Sequence, residues 1–284
     1  MYYIKNYQSI KEFAETVLPI LNENEAQNNI LIGALLRAMN GGDTTDWLYL
    51  TVNDDAVWAD TQIKLVAMRT PPFSLLAYAP QNKIDLEALR KLAGIRLDVP
   101  GIFCEKQMAD AYLKESGKTI SNRTDLPLQV LKHFNDIATP KGVLRLYCED
   151  DLEYLPRWMC SFRDDCALDD DFNEAVIRDI LRKEMGVRRQ YVWESCDKIP
   201  VSMLKLQKKG SHGMHIGAVY TPPQFRNKGY ATACVKAACE LAMLEDGIEY
   251  CSLFADAINP VSNHVYHKIG FVNICYTSDI KFVK

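Results

Sequence analysis

The run "HIGAVYTPPQFRNKGYATACVKAACELAM", residues 215–243, constrains the fold more than any other stretch of the chain. Its apolar opening reads as a strand. That strand must leave its sheet at Thr221, because Pro222 and Pro223 carry no N–H to continue a ladder. From Ala231 onward, Cys234, Val235, Ala238, Leu241 and Ala242 recur at helical spacing along one face. Between strand and helix lies a basic loop bearing one glycine, Gly229. A strand running through such a loop into a helix aims the unpartnered N–H groups of the first turn outward, which makes an anion site. Gly229 lets a ligand approach the backbone, Ala231 does not crowd it, and Arg226 and Lys228 add positive charge. Each N–H bonded to a phosphate oxygen contributes about 1.5–3 kcal/mol. Taken alone, the loop reads equally well as a plain turn with solvated basic residues.

The surrounding pattern gives the loop a context. After residue 142, the chain reads as a strand and helix ("VLRLYCEDDLEYLPRWMCSF"), a second helix ("DFNEAVIRDILRKEMG"), and strands "QYVWES", "IPVSMLKLQ" and "HIGAVYT". A helix from Ala231, a strand "EYCSLFAD", a short helix "NPVSNHVYHKIG" and closing strand material "FVNICYTSDIKFV" follow. The opening half repeats this order as far as its last helix, with helices in "SIKEFAETVLPIL", "NNILIGALLRAM", "IDLEALRKLA" and "EKQMADAYLKES", after which periodicity fades from about 116 to 127. It also carries an echo, "RTPPFSLLAYA" at 69–79, after the strand "IKLVAM". The shared order points to a tandem duplication. A length of 284 residues suits two domains of about 140 residues. The expected division is 1–135 and 140–284, with the boundary in the polar stretch 133–142. The first Thr-Pro-Pro is followed by Phe73, Ser74, Leu75 and Leu76, an apolar run without Gly or basic residues, so the opening copy is expected to lack the anion loop.

Composition narrows the partners. A net charge of -4 supplies no field for nucleic acid or an anionic membrane surface, and no apolar run is long enough to span a bilayer. Nine cysteines without a Cys-x-x-Cys pair fit a reducing compartment, so a cytoplasmic location without disulfides or structural zinc is expected. "HGMH" at 212–215 and "HVYH" at 264–267 each lack a third ligand, so no metal is expected and His264 and His267 read as surface residues.

"VYTPPQFRNKGYATACV" resembles the pyrophosphate-binding motif of the GCN5-related N-acetyltransferase (GNAT) superfamily, with Arg226, Gly229 and Ala231 at its Arg-x-x-Gly-x-Gly/Ala positions. "LFADAINPVSNHVYHKIGF" resembles that family's next motif, at the right spacing downstream. The resemblance implies a mixed α/β GNAT-like acyl-CoA N-acyltransferase fold in two tandem copies. It implies acetyl-CoA held between the splayed strands "HIGAVYT" and "EYCSLFAD". Val219, Tyr220 and Thr221 would lie along the pantetheine arm, and Arg226, Asn227, Lys228, Gly229, Tyr230, Ala231 and Thr232 would cradle the pyrophosphate. Asn259, Ser262 and Asn263 would meet the arm, and Tyr266 matches the family's usual general acid. The implied function is acetyl transfer to an amine, on a small molecule or a protein. A CoA-binding sensor without turnover is the alternative. An amine of pKa ~10.4 must lose a proton before attack, and Glu194 and Asp256, near strand ends, are the sequence candidates for the base.

Overall fold

The computed structural model describes residues 1–54, 62–95, 97–166 and 172–283. In chain order the elements are β1 (Tyr2–Asn6), α1 (Ile10–Asn22), α2 (Asn29–Met39), β2 (Leu48–Asp54), β3 (Gln62–Arg69), β4 (Leu75–Tyr78), α3 (Leu86–Ala93), β5 (Gly101–Glu105), α4 (Lys106–Ser116) and β6 (Ile120–Leu131). There follow β7 (Gly142–Leu146), α5 (Leu155–Asp165), α6 (Glu174–Lys183), β8 (Gln190–Ser195), β9 (Pro200–Lys208), β10 (Gly213–Tyr220), α7 (Tyr230–Ala242), β11 (Tyr250–Phe254), α8 (Pro260–Ile269) and β12 (Val272–Phe282). Each run of ten has the same order of strands and helices. Asp171, first residue of the expected "DFNEAVIRDILRKEMG" helix, lies outside the described residues.

The chain forms two compact units. One comprises Met1–Gln129, Phe254–Pro260 and Asn273–Lys284, the other Val130–Leu253 and Val261–Val272. In the first unit the strand order is β1-β2-β3-β4-β5-β12-β6. β4 and β5 run parallel, whereas β1/β2, β2/β3, β3/β4 and β5/β12 are antiparallel. Alternation along β3 divides its side chains between two cores. Leu65 and Ala67 face α3 and α4 beside Leu89, Leu92, Met108 and Tyr112, and Val66 and Met68 face α1 and α2 beside Phe13, Val17 and Leu35. Ile280, near the end of the chain, is fully buried in the first of these cores.

In the second unit the order is β11-β10-β9-β8-β7. Val192, Met203 and Tyr220 pack with Leu155, Trp158, Ile177 and Leu181 of α5 and α6, and α7 covers the opposite face. Asp151, 2% exposed, accepts both guanidinium N–H groups of Arg145 at 2.7 and 2.9 Å and the Cys148 N–H at 2.8 Å, which seats the start of α5 against β7. Such a desolvated carboxylate is tolerated because every lone pair has a donor.

The two Thr-Pro-Pro sequences occupy different places in this order. Thr70–Pro72 makes the β3–β4 turn, where the Phe73 N–H donates to the Thr70 carbonyl at 3.1 Å, and the apolar run after it becomes the fully buried strand β4. Thr221–Pro223 instead leads from β10 toward α7. By element order, the stretch of the first half corresponding to 221–229 is Ala79–Asp85. The tripeptide echo is therefore a coincidence of two strand ends, and the shared element order is the real correspondence.

Candidate acyl-donor site

β10 and β11 pair in parallel only over Gly213–His215 and Tyr250–Ser252. Beyond that point β10 runs on to Tyr220 without a β11 partner, and its register to β9 shifts between Gly217 and Tyr220. Ala218 takes the left-handed conformation there, at φ 50°. A non-Gly residue in that region marks a bulge, a device that ends pairing and re-aims side chains. Val219 and Thr221 are half-buried and Tyr220 is buried.

The loop after β10 is held from both sides. The Thr221 hydroxyl lies 2.9 Å from that of Ser202, and the Arg226 Nε–H donates to the Thr221 carbonyl at 2.9 Å. The Arg226 guanidinium also stacks over the Tyr220 ring and donates to the Asp165 carboxylate at 2.7 Å. Arg226 thus braces the loop against the end of α5 rather than standing free. Lys228 is exposed and makes no ion pair among the described residues. Asn227 and Gly229 both adopt positive φ, 62° and 79°, and turn the chain into α7.

Gly229 is the N-cap of α7 and supplies no side chain to its first turn, so the N–H groups of Tyr230, Ala231 and Thr232 have no capping side chain among the described residues. The first helical bond runs from the Ala233 N–H to the Gly229 carbonyl at 3.0 Å. A Cβ at 229 would meet the Pro140 ring at 3.2 Å, in a conformation side chains rarely adopt. Gly229, Asn227 and Arg226 are exposed, Tyr230 and Ala231 half-buried, and Thr232 buried. These features fit an anionic diphosphate: uncapped donors, a close backbone approach, and the Lys228 ammonium, which makes no ion pair among the described residues.

The corresponding helix in the first unit is built the other way. Asp85 caps α3, its Oδ1 accepting from the Glu87 and Ala88 N–H groups at 3.1 Å each, and its other oxygen accepts from the Tyr2 hydroxyl at 2.7 Å. The donors that would meet a phosphate are already satisfied by a carboxylate. That charge would also repel a diphosphate.

α8 carries the second group of expected residues. Ser262 and Asn263 are half-buried on its first turn. Asn259 is exposed, immediately precedes the helix within the Phe254–Pro260 segment, and its N–H donates to the Asp256 carbonyl at 3.1 Å. Tyr266 is 8% exposed and packs edge-on against Phe271, with ring centroids 5.9 Å apart. Its hydroxyl has no hydrogen-bond partner among the described residues. Burial pushes the phenol well above its ordinary range, and a nearby charge at Cys166 pushes it the same way. The helix end is fixed by the Asn135 amide, which donates to the His267 and Lys268 carbonyls at 3.3 and 3.2 Å. The end of α5 links the two groups, since Asp165 holds Arg226 and the next residue, Cys166, is close enough to act on Tyr266.

Both sequence candidates for the base are engaged elsewhere. Glu194 accepts from the Arg145 Nε–H at 2.9 Å, and Asp256 caps its own turn through the Ile258 N–H at 3.0 Å. His215, read from sequence only as half of a metal-like pair, stands instead at the last paired residue before the strands part, its Nδ1 3.3 Å from the Ser252 hydroxyl. Desolvation of the ring, reinforced by Lys209, lowers its pKa to about 3, so it is neutral at physiological pH. No cluster of three or more His, Cys, Asp or Glu among the described residues is arranged to hold a metal.

Residues 152–271 match the model of the Acetyltransferase (GNAT) family. This stretch is a GNAT domain. Its match takes in both the α7 loop and α8. Solved structures share the fold over nearly the whole chain. A Drosophila protein is 13% identical with a TM-score of 0.65, covering 99% of this chain and 98% of its own. A GCN5-related N-acetyltransferase from Sphaerobacter thermophilus is 11% identical with a TM-score of 0.62, covering 99% and 95%. A GNAT-family acetyltransferase from Colwellia psychrerythraea is 9% identical with a TM-score of 0.58, covering 99% and 100%. Comparison with curated proteins gives no match. The mixed α/β architecture is accordingly that of the GNAT acyltransferases.

Proposed function

We propose that the protein transfers an acetyl group from acetyl-CoA to an amine, and that it binds the donor once per chain, in the GNAT domain within 140–284. The observation that carries this reading is the uncapped, Gly229-led start of α7, placed directly after a strand that has parted from its parallel neighbour. In this reading the backbone of Val219, Tyr220 and Thr221 lies along the pantetheine amides as an added strand. The N–H groups from Asn227 to Thr232 and the Lys228 ammonium take the diphosphate, with Arg226 holding the loop in shape. Ser262 and Asn263 contact the arm from the first turn of α8.

Acetyl-CoA supplies the activated thioester. Tyr266 does the proton work on the leaving side: its hydroxyl, kept protonated by burial, donates to the departing sulfur as the C–S bond breaks. The first half is a duplicated copy, comprising 1–135, whose equivalent helix is closed by Asp85 and which carries no donor. The acceptor is a small-molecule or protein amine.

The test is release of free CoA from acetyl-CoA in the presence of polyamines, amino acids and lysine peptides. Saturable, amine-dependent release supports the transferase. Tight acetyl-CoA binding with no release across the panel would favour a CoA-binding sensor.

A further inference from the structure

Gly217 is a glycine that neither backbone nor packing demands. It sits inside β10, where a missing side chain weakens a strand. Its φ lies outside the left-handed region, and a Cβ built on it would find no atom of the described residues within 4 Å. By contrast, a Cβ at Gly213, earlier in the same strand, would collide with the Tyr250 ring at 2.4 Å. A strand glycine that leaves space unfilled points to something else that fills it.

The position of that space is defined by register. Gly217 lies opposite Lys205 of β9, and His215 lies opposite Gln207. Cross-strand partners share a face, and Met203 shares it by alternation. This is the side on which α5 and α6 pack, opposite the side covered by α7. Gly217 is also two residues past the last β10–β11 pair and next to the bulged Ala218, so the space opens where the parted strands would present the thioester. Its surroundings, Lys205, Gln207, His215 and Ser252, are polar, which suits an acceptor better than an alkyl chain of the donor.

The geometry points to Gly217 as the position that admits the amine: the space over it is the acceptor's passage to the thioester, and any side chain there closes it. The inference rests on the acetyltransferase reading and assigns a specificity-determining position within it.

Hydroxylamine serves as the probe acceptor, because it is small and its product with acetyl-CoA is acetohydroxamate plus free CoA, whatever the natural amine is. Wild type, Gly217→Ala and Gly217→Val are compared by calorimetric binding of acetyl-CoA, by hydroxamate formation and by melting temperature. In the expected result, all three bind acetyl-CoA within threefold of one another and melt at the same temperature or higher in the variants. Hydroxamate formation at subsaturating hydroxylamine then falls about threefold in the Ala variant and at least 30-fold in the Val variant. Equal activity in the Val variant overturns the inference, as does loss of its acetyl-CoA binding, which would give the space to the donor. Wild-type binding without hydroxamate formation also overturns it. Failure of the wild type to bind acetyl-CoA would instead sink the acetyltransferase reading itself.

Discussion

Replacing Tyr266 by Phe separates chemistry from binding because of how that side chain sits. The ring is 8% exposed and meets Phe271 edge-on at 5.9 Å, a contact that Phe preserves. The hydroxyl makes no hydrogen bond among the described residues, so its removal leaves none of them unsatisfied, and stability should change by no more than about 0.5 kcal/mol. Loss of a positioned general acid costs about 100- to 10,000-fold in rate, or about 2.7–5.5 kcal/mol of barrier. Turnover should therefore collapse while calorimetric affinity for acetyl-CoA stays within about twofold. The sign of the pH effect follows from the raised phenol pKa. A raised value keeps the proton on at any working pH, so Tyr266 imposes no alkaline limb on kcat below about pH 10. Turnover of the Phe variant within twofold of wild type would remove Tyr266 from the mechanism, and parallel loss of affinity would recast it as a binding residue.

Two further expectations come from burial. His215 has a pKa near 3 in the folded chain against about 6.5 when unfolded, so its contribution is fully present above pH 6.5 and is lost as pH falls toward 3. Between pH 6.5 and 5 that is about 2 kcal/mol, and His215→Gln should flatten the dependence of melting temperature on pH by one proton's worth; an unchanged slope would refute the assignment. Ile280 lies four residues from the C-terminus yet is fully buried among residues of the first unit, so Ile280→Ala should cost about 3 kcal/mol in denaturant unfolding, and a cost under about 0.5 kcal/mol would contradict its place in that core.

The parts of the fold legible in sequence were those with a local signature. The β10–α7 unit announces itself through the Pro pair, the glycine and the helical spacing after it, and α8 through Pro260 and Gly270 at its ends. β6 was not legible, because residues 120–125 show no alternation of apolar and polar types. Their side chains are satisfied mainly by partners on other elements: Arg123 donates to Ser278 at 3.1 Å, and Asp125 accepts from the Ser278 hydroxyl at 2.6 Å and from Lys106 at 2.6 Å. Hydrogen bonds to Ser278 link residues more than 150 positions apart, which no periodicity encodes. The placement of β12 beside β5 was equally hidden, since a strand's pairing partner is not written in its own pattern. For the base, the sequence offers Glu194 and Asp256, where the structure commits both to neighbours. Gly217 carried a signal that could have been read, a lone glycine inside a strand.

The most direct test of a single donor site built on the start of α7 is a calorimetric titration of the intact protein with acetyl-CoA, repeated on Gly229→Glu. The variant places a carboxylate and a Cβ where the backbone turns at φ 79° beside Pro140. One site per chain that disappears in the variant is the predicted result. Two sites would show that Asp85 does not close the first unit to the donor, and binding that survives Gly229→Glu would place the diphosphate somewhere other than the start of α7.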